Sequence, residues 1–584
     1  MLRLSFVKKF STKTYDTVII GGGHNGLAAA AYLAKQSKTN KNPQKNILVL
    51  ESRHIIGGAA VTEKRFAILI FAIELYPGFK YSRCSYLLSL LRPQIINELE
   101  LKKYGLKYYL REPWSSFTPL KNNQYLLLGH DRQLNYEQIK KFSTKDANAY
   151  AIYEDWLASM VRGVNPLLDS SPIDLASGLS MKNLAASLKQ IGPPLNAIKE
   201  LGVKNIGSFY ELLTAPASKI LSQWFESEPL KATLATDAVI GANISPMSTG
   251  SSYVLLHHLM GELDEKSGAW GYVEGGMGSV SSAIAAVAKD NGVEIRTNSK
   301  VKQVLVETIN GECKVTGVLL ESGEVIEAHT VMSNATPKVT FLDLLPEKGT
   351  LPDDFLKAIH GISYSSATTK INLAVNSLPN FTCLPNKENN QPCPHHSTTI
   401  HLGAASLEEL NEAYKESSLN QVPSKVPMIE MTIPSSLDKT ISPPGKHVVT
   451  LFVQWTPYEY FSTTNTEVNE ARKSKLASDV FKIIDSYCPG FEKSIEHVDV
   501  LTPPDLEKEF NLTGGNIFHG CMNLDALYFV RPTSVHAKNP GQVGGYRTPI
   551  KGYYMCGSGG HPGGGVMGSP GKQAALTLIE DLRK

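Results

Sequence analysis

The chain has 584 residues, of which 42% are hydrophobic and 19% charged, and its formal net charge is only +3. That length exceeds what one hydrophobic core organises, so two or more domains are expected, and the near balance of charge excludes the basic footprint of a nucleic-acid-binding protein. The longest apolar run, Phe66 to Ile73, is closed by Arg65 and Glu74 and falls well short of the roughly 18 residues of a membrane-spanning helix, so no transmembrane span is expected.

Residues 1–15 form a separate unit. They contain Arg3, Lys8, Lys9 and Lys13 without an acid, and Leu2, Phe6 and Phe10 recur along one helical face. This pattern is similar to a mitochondrial transit peptide and predicts a mitochondrial protein, in the matrix or peripheral to the inner membrane. A basic tail on a cytosolic enzyme is the other reading.

Thr17 to Ile20 reads as a strand running into Gly21-Gly22-Gly23-His24-Asn25-Gly26, and Leu27 to Lys35 as an Ala- and Leu-rich helix. A dinucleotide pyrophosphate must approach such a turn closely and meet free N–H groups at a helix N-terminus, so Gly21, Gly23 and Gly26 stand where a Cβ would obstruct it. Asn46 to Leu50 reads as the second parallel strand. Glu51 at its carboxyl end is placed to accept hydrogen bonds from a ribose diol, and its charge disfavours the 2′-phosphate of NADP. Arg53 and the Gly57-Gly58 pair then bring a guanidinium and a second bare turn toward the same phosphates.

Between Thr62-Glu63 and Glu74-Leu75 stands an apolar, β-prone insertion, Lys64 to Ile73. It reads either as a lid or membrane-touching element beside the cofactor or as a gene-model artefact. Residues 135–260 are mostly helical in pattern. From Gly275-Gly276-Met277-Gly278 a small-residue helix leads into β segments at Val293–Thr297, Val301–Glu307, Lys314–Leu320, Val325–Ala328 and Thr330–Ser333. The last of these ends at Asn334, on the edge where an α/β sheet binds its ligand. Further strands are expected at Thr368–Val375, Met428–Ile433 and His447–Trp455.

The cysteines at 84, 313, 383, 393, 488, 521 and 556 form no CxxC pair, which disfavours dithiol redox chemistry, and Cys383, Cys393, His395 and His396 lack a recognisable metal spacing. Gly552 to Cys556 reads as a final strand entering the glycine-rich run Gly557 to Gly565, with a helix from about Gly571. That helix would aim its positive end at the pyrimidine edge of an isoalloxazine, where reduction places negative charge. Two glycine platforms at opposite ends of the chain suit FAD, whose ADP half and ring need separate cradles; NAD needs no second one. His561, beside the expected ring, is the candidate proton-transfer group, although a loop-shaping role suits it better; His519 and Arg531 could line the substrate tunnel, but read better as a satisfied interior histidine and a surface ion pair.

The N-terminal series through Gly57-Gly58, the GGMG segment at Gly275 and the ending GYYMCGSGGHPGGGVMGSPGKQAA resemble the FAD-dependent carotenoid and retinoid oxidoreductases, the phytoene desaturase-like branch of the amine-oxidase superfamily. YPGFKYSRCSYLLSLLRP, GGNIFHG and LYFVRP extend the resemblance over nearly the whole chain after residue 15. It implies an α/β fold: a discontinuous Rossmann-like FAD domain of the p-hydroxybenzoate hydroxylase type, built from 16–110, 261–345 and 541–584, with an inserted α+β substrate domain from 111–260 and 346–540. It implies, too, an FAD-dependent oxidoreductase that dehydrogenates or isomerises a hydrophobic small molecule by hydride transfer to flavin N5. A flavin-binding regulatory partner of a mitochondrial inner-membrane assembly is the alternative. Carried over by position, Gly21, Gly23, His24, Asn25 and Gly26 bind pyrophosphate and Glu51 the ribose, with Ser52 beside it; Arg53, Gly58 and Ala59 line the phosphates, Val301 meets adenine, and Gly557, Val566 and Met567 lie near the ring. No catalytic acid, base or metal ligand is assigned.

Overall fold

The computed structural model describes residues 9–10, 13–37, 45–64, 66–67, 73–74, 76–173, 184–346, 349–366, 368–388, 390–533 and 545–583. Residues 1–8 and 11–12 of the basic segment, and most of the Lys64–Ile73 insertion, lie outside these. Of the insertion, Phe66–Ala67 and Ile73–Glu74 pair as a short antiparallel ladder.

The chain enters through β1 (Tyr15–Ile20), α1 (His24–Ser37) and β2 (Ile47–Leu50). Its middle supplies α2 (Gly278–Asp290), β3 (Glu294–Arg296), β4 (Val301–Ile309), β5 (Glu312–Leu320) and β6 (Glu324–Ser333). Its end supplies β7 (Tyr553–Met555) and α3 (Ser569–Asp581). These strands form one sheet in the order β3-β2-β1-β6-β5-β4, with β7 also on β6. The β3-β2-β1-β6 and β6-β7 pairs are parallel, and β1, β2 and the end of β6 are buried on both faces, which explains the uninterrupted apolar runs of β1 and β2. Strand order reverses at β1, with β2 and β3 added on one side and β6 on the other, so the crevice at the carboxyl end of β1 is the topological switch point where such sheets hold ligands.

Two expectations shift. Val325–Ala328 and Thr330–Ser333 are one strand: β6 pairs antiparallel with β5 over Val325–Glu327, then parallel with β1 over Ala328–Ser333. The sheet also claims Tyr15, which is fully buried and bonded through its hydroxyl to Glu294, so the folded cofactor unit starts inside the segment assigned to residues 1–15. Upstream, the backbone of Lys9–Phe10 pairs with Glu324–Val325 of β6.

A second sheet of seven strands runs in the order 125–129, 114–119, 399–402, 429–432, 447–454, 368–375, 495–501, antiparallel except for the pair 114–119 with 399–402. The twofold alternation of side chains assigns its two faces different tasks. Phe117, Ile371, Leu373, Ile400, Ile429, Met431, Val449 and Leu451 pack on one face against the helix Thr466–Tyr487. Their neighbours Ser116, Lys370, Thr399, His401, Glu430 and Phe452 point the other way and line a cavity. Helices from 144 to 259 cover the far side of that cavity.

A buried ion network ties the two sheets. Arg83, next to the Gly57–Ala59 turn in the fold, donates to Asp499 on the second sheet at 3.0 Å, to Glu63 at 3.1 Å and to Glu509 at 2.9 Å. Removing one member would strand the others in low dielectric, the situation in which buried ion pairs are most destabilising to break.

Candidate active site

The cofactor cradle is built by close backbone approach. Gly21 takes φ +96°, and a Cβ on Gly26 would stand 2.2 Å from the Gly21 carbonyl oxygen, so α1 starts against the turn only because position 26 carries no side chain. The second bare turn docks on the first: the Gly57 amide donates to the Gly22 carbonyl at 2.8 Å, and Gly23 bridges Gly57. The Glu51 carboxylate sits beside this junction, accepting from the Gly22 amide at 2.8 Å, the Arg53 amide at 2.8 Å and the Ser52 hydroxyl at 3.2 Å. The Ser299 amide donates to the Glu51 carbonyl, and Asn298 to that of Arg53, which brings the start of β4 and Val301 alongside.

The far end of the chain closes on this turn. Asn25 Nδ2 donates to Ser558 Oγ at 3.0 Å across 533 residues of sequence. Asn334, following β6, joins both halves: its amide donates to the Ile20 carbonyl at 2.8 Å, and Gly557 lies so close that a Cβ there would meet the Asn334 carbonyl oxygen at 2.7 Å. One side-chain hydrogen bond contributes about 1 kcal/mol. Packing of the α3 residues Ala574, Ala575 and Leu578 with the alanines of α1 contributes more, at about 25 cal/mol per Å² of apolar surface buried, and Gly571 permits it by leaving room for the Asn25 carbonyl oxygen. α3 begins at Ser569, two residues earlier than its composition suggests, after Gly568 in the left-handed region.

Buried polar atoms are left over where an anionic dinucleotide would lie. Arg53 gives one guanidinium nitrogen to Glu63 at 2.7 Å, while Nη1 has no partner; Asn25 Oδ1 and His24 Nε2 are likewise unsatisfied. Native proteins rarely bury such groups idle. Bare turns, an acid at the end of β2 and unpaired donors together fit FAD, with Arg53 and the turn amides toward the pyrophosphate and Glu51 toward the ribose. His24 is buried and held neutral, its pKa pushed down to about 4 by desolvation, so it acts as a hydrogen-bonding group.

From the cradle a cavity of about 510 Å³ extends into the second domain, within the range of small-molecule sites. His24, Ala59, Ser558, Gly565 and Val566 stand on its cofactor side. The chain leads onward from Ala59, whose carbonyl accepts from the Ser85 amide at 3.0 Å, to Tyr86, whose hydroxyl donates to Glu430 at 2.5 Å. Lys370 Nζ lies 4.9 Å from the Tyr86 ring centre and donates to Asn372 at 2.9 Å. Desolvation pulls Lys370 down to about 7 and raises the Asp237 carboxyl to about 7, so both stand poised near neutral pH.

A model of the family described as flavin containing amine oxidoreductase matches residues 117–435, and a model of the NAD(P)-binding Rossmann-like domain matches residues 19–91. The chain belongs to the flavin-containing amine oxidoreductase family. It is 49% identical over 580 residues to pyridine nucleotide-disulfide oxidoreductase domain-containing protein 2 of Rattus norvegicus, covering 97% of this chain and 94% of that one. It is 25% identical over 371 residues to the lycopene-forming phytoene desaturase of Pseudescherichia vulneris, covering 62% of this chain and 66% of the relative. In fold it is similar to cyclohexylamine oxidase from Brevibacterium oxydans, with a TM-score of 0.54 at 15% identity, covering 98% of this chain and 100% of that chain. The protein is therefore an FAD-dependent oxidoreductase, with the Rossmann-like cofactor fold expected of it.

The structure brings Gly21, Gly23, His24, Asn25, Gly26, Glu51, Ser52, Arg53, Gly58, Ala59, Val301 and Gly557 to one crevice, and it places Val566 in the cavity wall. Met567 is buried behind it, its carbonyl accepting from the Arg92 amide. His561 stands apart: its Nε2 is 2.8 Å from the Leu167 carbonyl oxygen, burial lowers it to about 4, and it does not line the cavity. It shapes the loop. His519 does line the cavity, with Nδ1 unsatisfied.

Arg531 departs most from expectation. It is 4% exposed and gives its donors to the carbonyls of Phe518, Gly520, Cys521, Ala526 and Ser558, clamping the C-terminal half-site to the 518–526 loop. Arg531→Gln, which cannot reach that set, is expected to lower stability by about 3 kcal/mol and to weaken FAD retention, read by denaturant unfolding and by flavin released on dilution. Unchanged stability and FAD content would contradict the clamp.

Tyr86, Arg111, Asp237, Lys370, His401 and Glu430 were not singled out from the sequence. A signal existed for three of them: each of TTKINLAV, TIHL and IEMT alternates apolar residues with polar ones that include a single ionisable side chain, the mark of a second face that is lined rather than packed.

Proposed function

We propose that this enzyme dehydrogenates or isomerises a hydrophobic small molecule, in the mitochondrion, by hydride transfer to the flavin. The observation that carries the reading is the continuous cavity between the cofactor turns and the second domain, walled by Leu87, Leu90, Leu157, Val161, Ile240 and Phe452. The basic segment 1–15 supports the location, and similarity to a phytoene desaturase supports the apolar substrate.

Bound FAD supplies a two-electron acceptor for hydride at N5. The chain supplies the rest. The apolar wall desolvates and orients the substrate beside the turn at Ala59, which excludes water from the reacting carbon. Removing hydride from one carbon and a proton from its neighbour requires a base, and the group assigned that task is Lys370, which lines the cavity and, with its pKa lowered to about 7, offers an Nζ lone pair above that pH. Tyr86 and Asn372 fix the place of Nζ.

The test uses the chain lacking residues 1–13, with and without Glu51→Arg. About one FAD per chain by visible absorption, lost in the variant, is the expected result; anaerobic bleaching by a lipid extract then supports the substrate class. A colourless folded protein, or bleaching by water-soluble metabolites alone, would overturn the reading.

A further inference from the structure

Arg111 is the cavity's unexplained charge. It follows the strand Tyr108–Leu110, which pairs with Gly271–Val273, and it is held rigidly: Nε donates to the Trp270 carbonyl at 3.3 Å and Nη1 to the Thr399 hydroxyl. The residue is 4% exposed and lines the cavity. No described carboxylate comes within ion-pair distance of it. The Tyr272 hydroxyl also shares a hydrogen bond with it, while Glu430, Asp237, Tyr86, His401 and His130 act on it through space. The other buried arginines resolve differently: Arg83 and Arg92 pair with acids, and Arg531 is saturated by carbonyls. A buried guanidinium without a paired anion is expensive to maintain, and one that faces an open cavity is available to a ligand.

We propose that Arg111 anchors the carboxylate of a long-chain monocarboxylate substrate, whose hydrocarbon tail lies along the apolar wall toward the cofactor turns. The assignment rests on the oxidoreductase reading above for its catalytic meaning, though not for binding. A cationic head finds no prepared partner. Glu430 already accepts the Tyr86 hydroxyl, and desolvation raises Asp237 to about 7, so it is only partly ionised at neutral pH. A dianionic head such as a phosphate finds only one guanidinium and two nearby acids. A single carboxylate meets Arg111 on one side and, once Asp237 takes a proton, a hydrogen-bond donor on the other.

Calorimetric titration of the FAD-loaded protein with dodecanoate, dodecanol, dodecylamine and dodecyl phosphate tests this. Dodecanoate is expected to bind at least about tenfold more tightly than dodecanol, the equivalent of one charge-assisted hydrogen bond. Arg111→Met is expected to erase that margin while keeping FAD and dodecanol binding. Asp237→Asn, which removes a like charge and preserves shape, is expected to tighten dodecanoate several-fold. Equal binding of dodecanol, tighter binding of dodecylamine or dodecyl phosphate, or weaker dodecanoate binding in Asp237→Asn each overturns the proposal, and the last keeps it testable if Arg111→Met does not fold. Loss of FAD from the wild-type chain with carboxylate binding intact would strike the oxidoreductase reading alone.

Discussion

Lys370→Met is expected to give a protein that is more resistant to denaturant than the natural one and catalytically crippled. Lys370 is 2% exposed in mid-strand, and desolvation depresses it to about 7, against roughly 10.4 for an unfolded lysine. Between those values the unfolded chain holds a proton that the folded one has released, so folded-state stability rises as pH increases from about 7 toward 10.4. At pH 7 the lysine therefore costs about 2 to 4 kcal/mol, allowing for water in the cavity. Its one hydrogen bond, to Asn372, returns about 1 kcal/mol, so desolvation wins. Methionine, of similar length and without charge, removes the cost, and its stability margin over the natural protein should shrink as pH rises. If Lys370 is the base, the same change lowers anaerobic flavin reduction about 10²- to 10⁴-fold at unchanged FAD content, and the natural enzyme's rate falls as pH drops below about 7. A variant less stable at pH 7, or one that bleaches at the natural rate, would refute the assignment.

Gly26→Val is expected to abolish FAD binding outright. The added Cβ would sit 2.2 Å from the Gly21 carbonyl oxygen, a backbone atom fixed by β1, so the first turn of α1 must lift away from the cradle. Overpacking of this kind costs about 1–3 kcal/mol. Loss of a cofactor present at 100 to 1,000 times its dissociation constant removes about 3–4 kcal/mol more. Purified protein should be colourless and unfold at lower denaturant. Gly207→Ala, in the helix Ile206–Thr214 with open space around it, provides the control and should keep its colour. A yellow Gly26→Val protein would show that the turn does not hold the dinucleotide.

Much of the cofactor half was legible because its chemistry is local. Gly21 to Gly26, Glu51 and Gly57-Gly58 lie within one βαβ passage, where spacing alone states that a backbone must be bare and an acid must end the second strand. The run Gly557 to Gly565 carries the same kind of information. Strand boundaries drifted by a residue or two because propensity does not mark where a ladder ends: Tyr15 joins β1 through its pairing with Ala328, and β6 continues past Ala328 because its partner changes there from β5 to β1.

The amino-acid sequence by itself determined the cofactor class, since it follows from residue types at short fixed spacing. Only the tertiary structure decided what lines the cavity beside the cofactor turns. Lys370, His401 and Glu430 stand on three strands, and Arg111, Tyr86 and Asp237 on three other segments; they meet because side-chain alternation turns one face of the sheet toward the helices 144–259 and leaves a cavity between. His561 and Arg531 show the converse. Both sit in motifs that suggest chemistry, yet the fold spends one on the Leu167 carbonyl and the other on a clamp of backbone carbonyls, because buried donors and charges must be satisfied by whatever the packing brings near them.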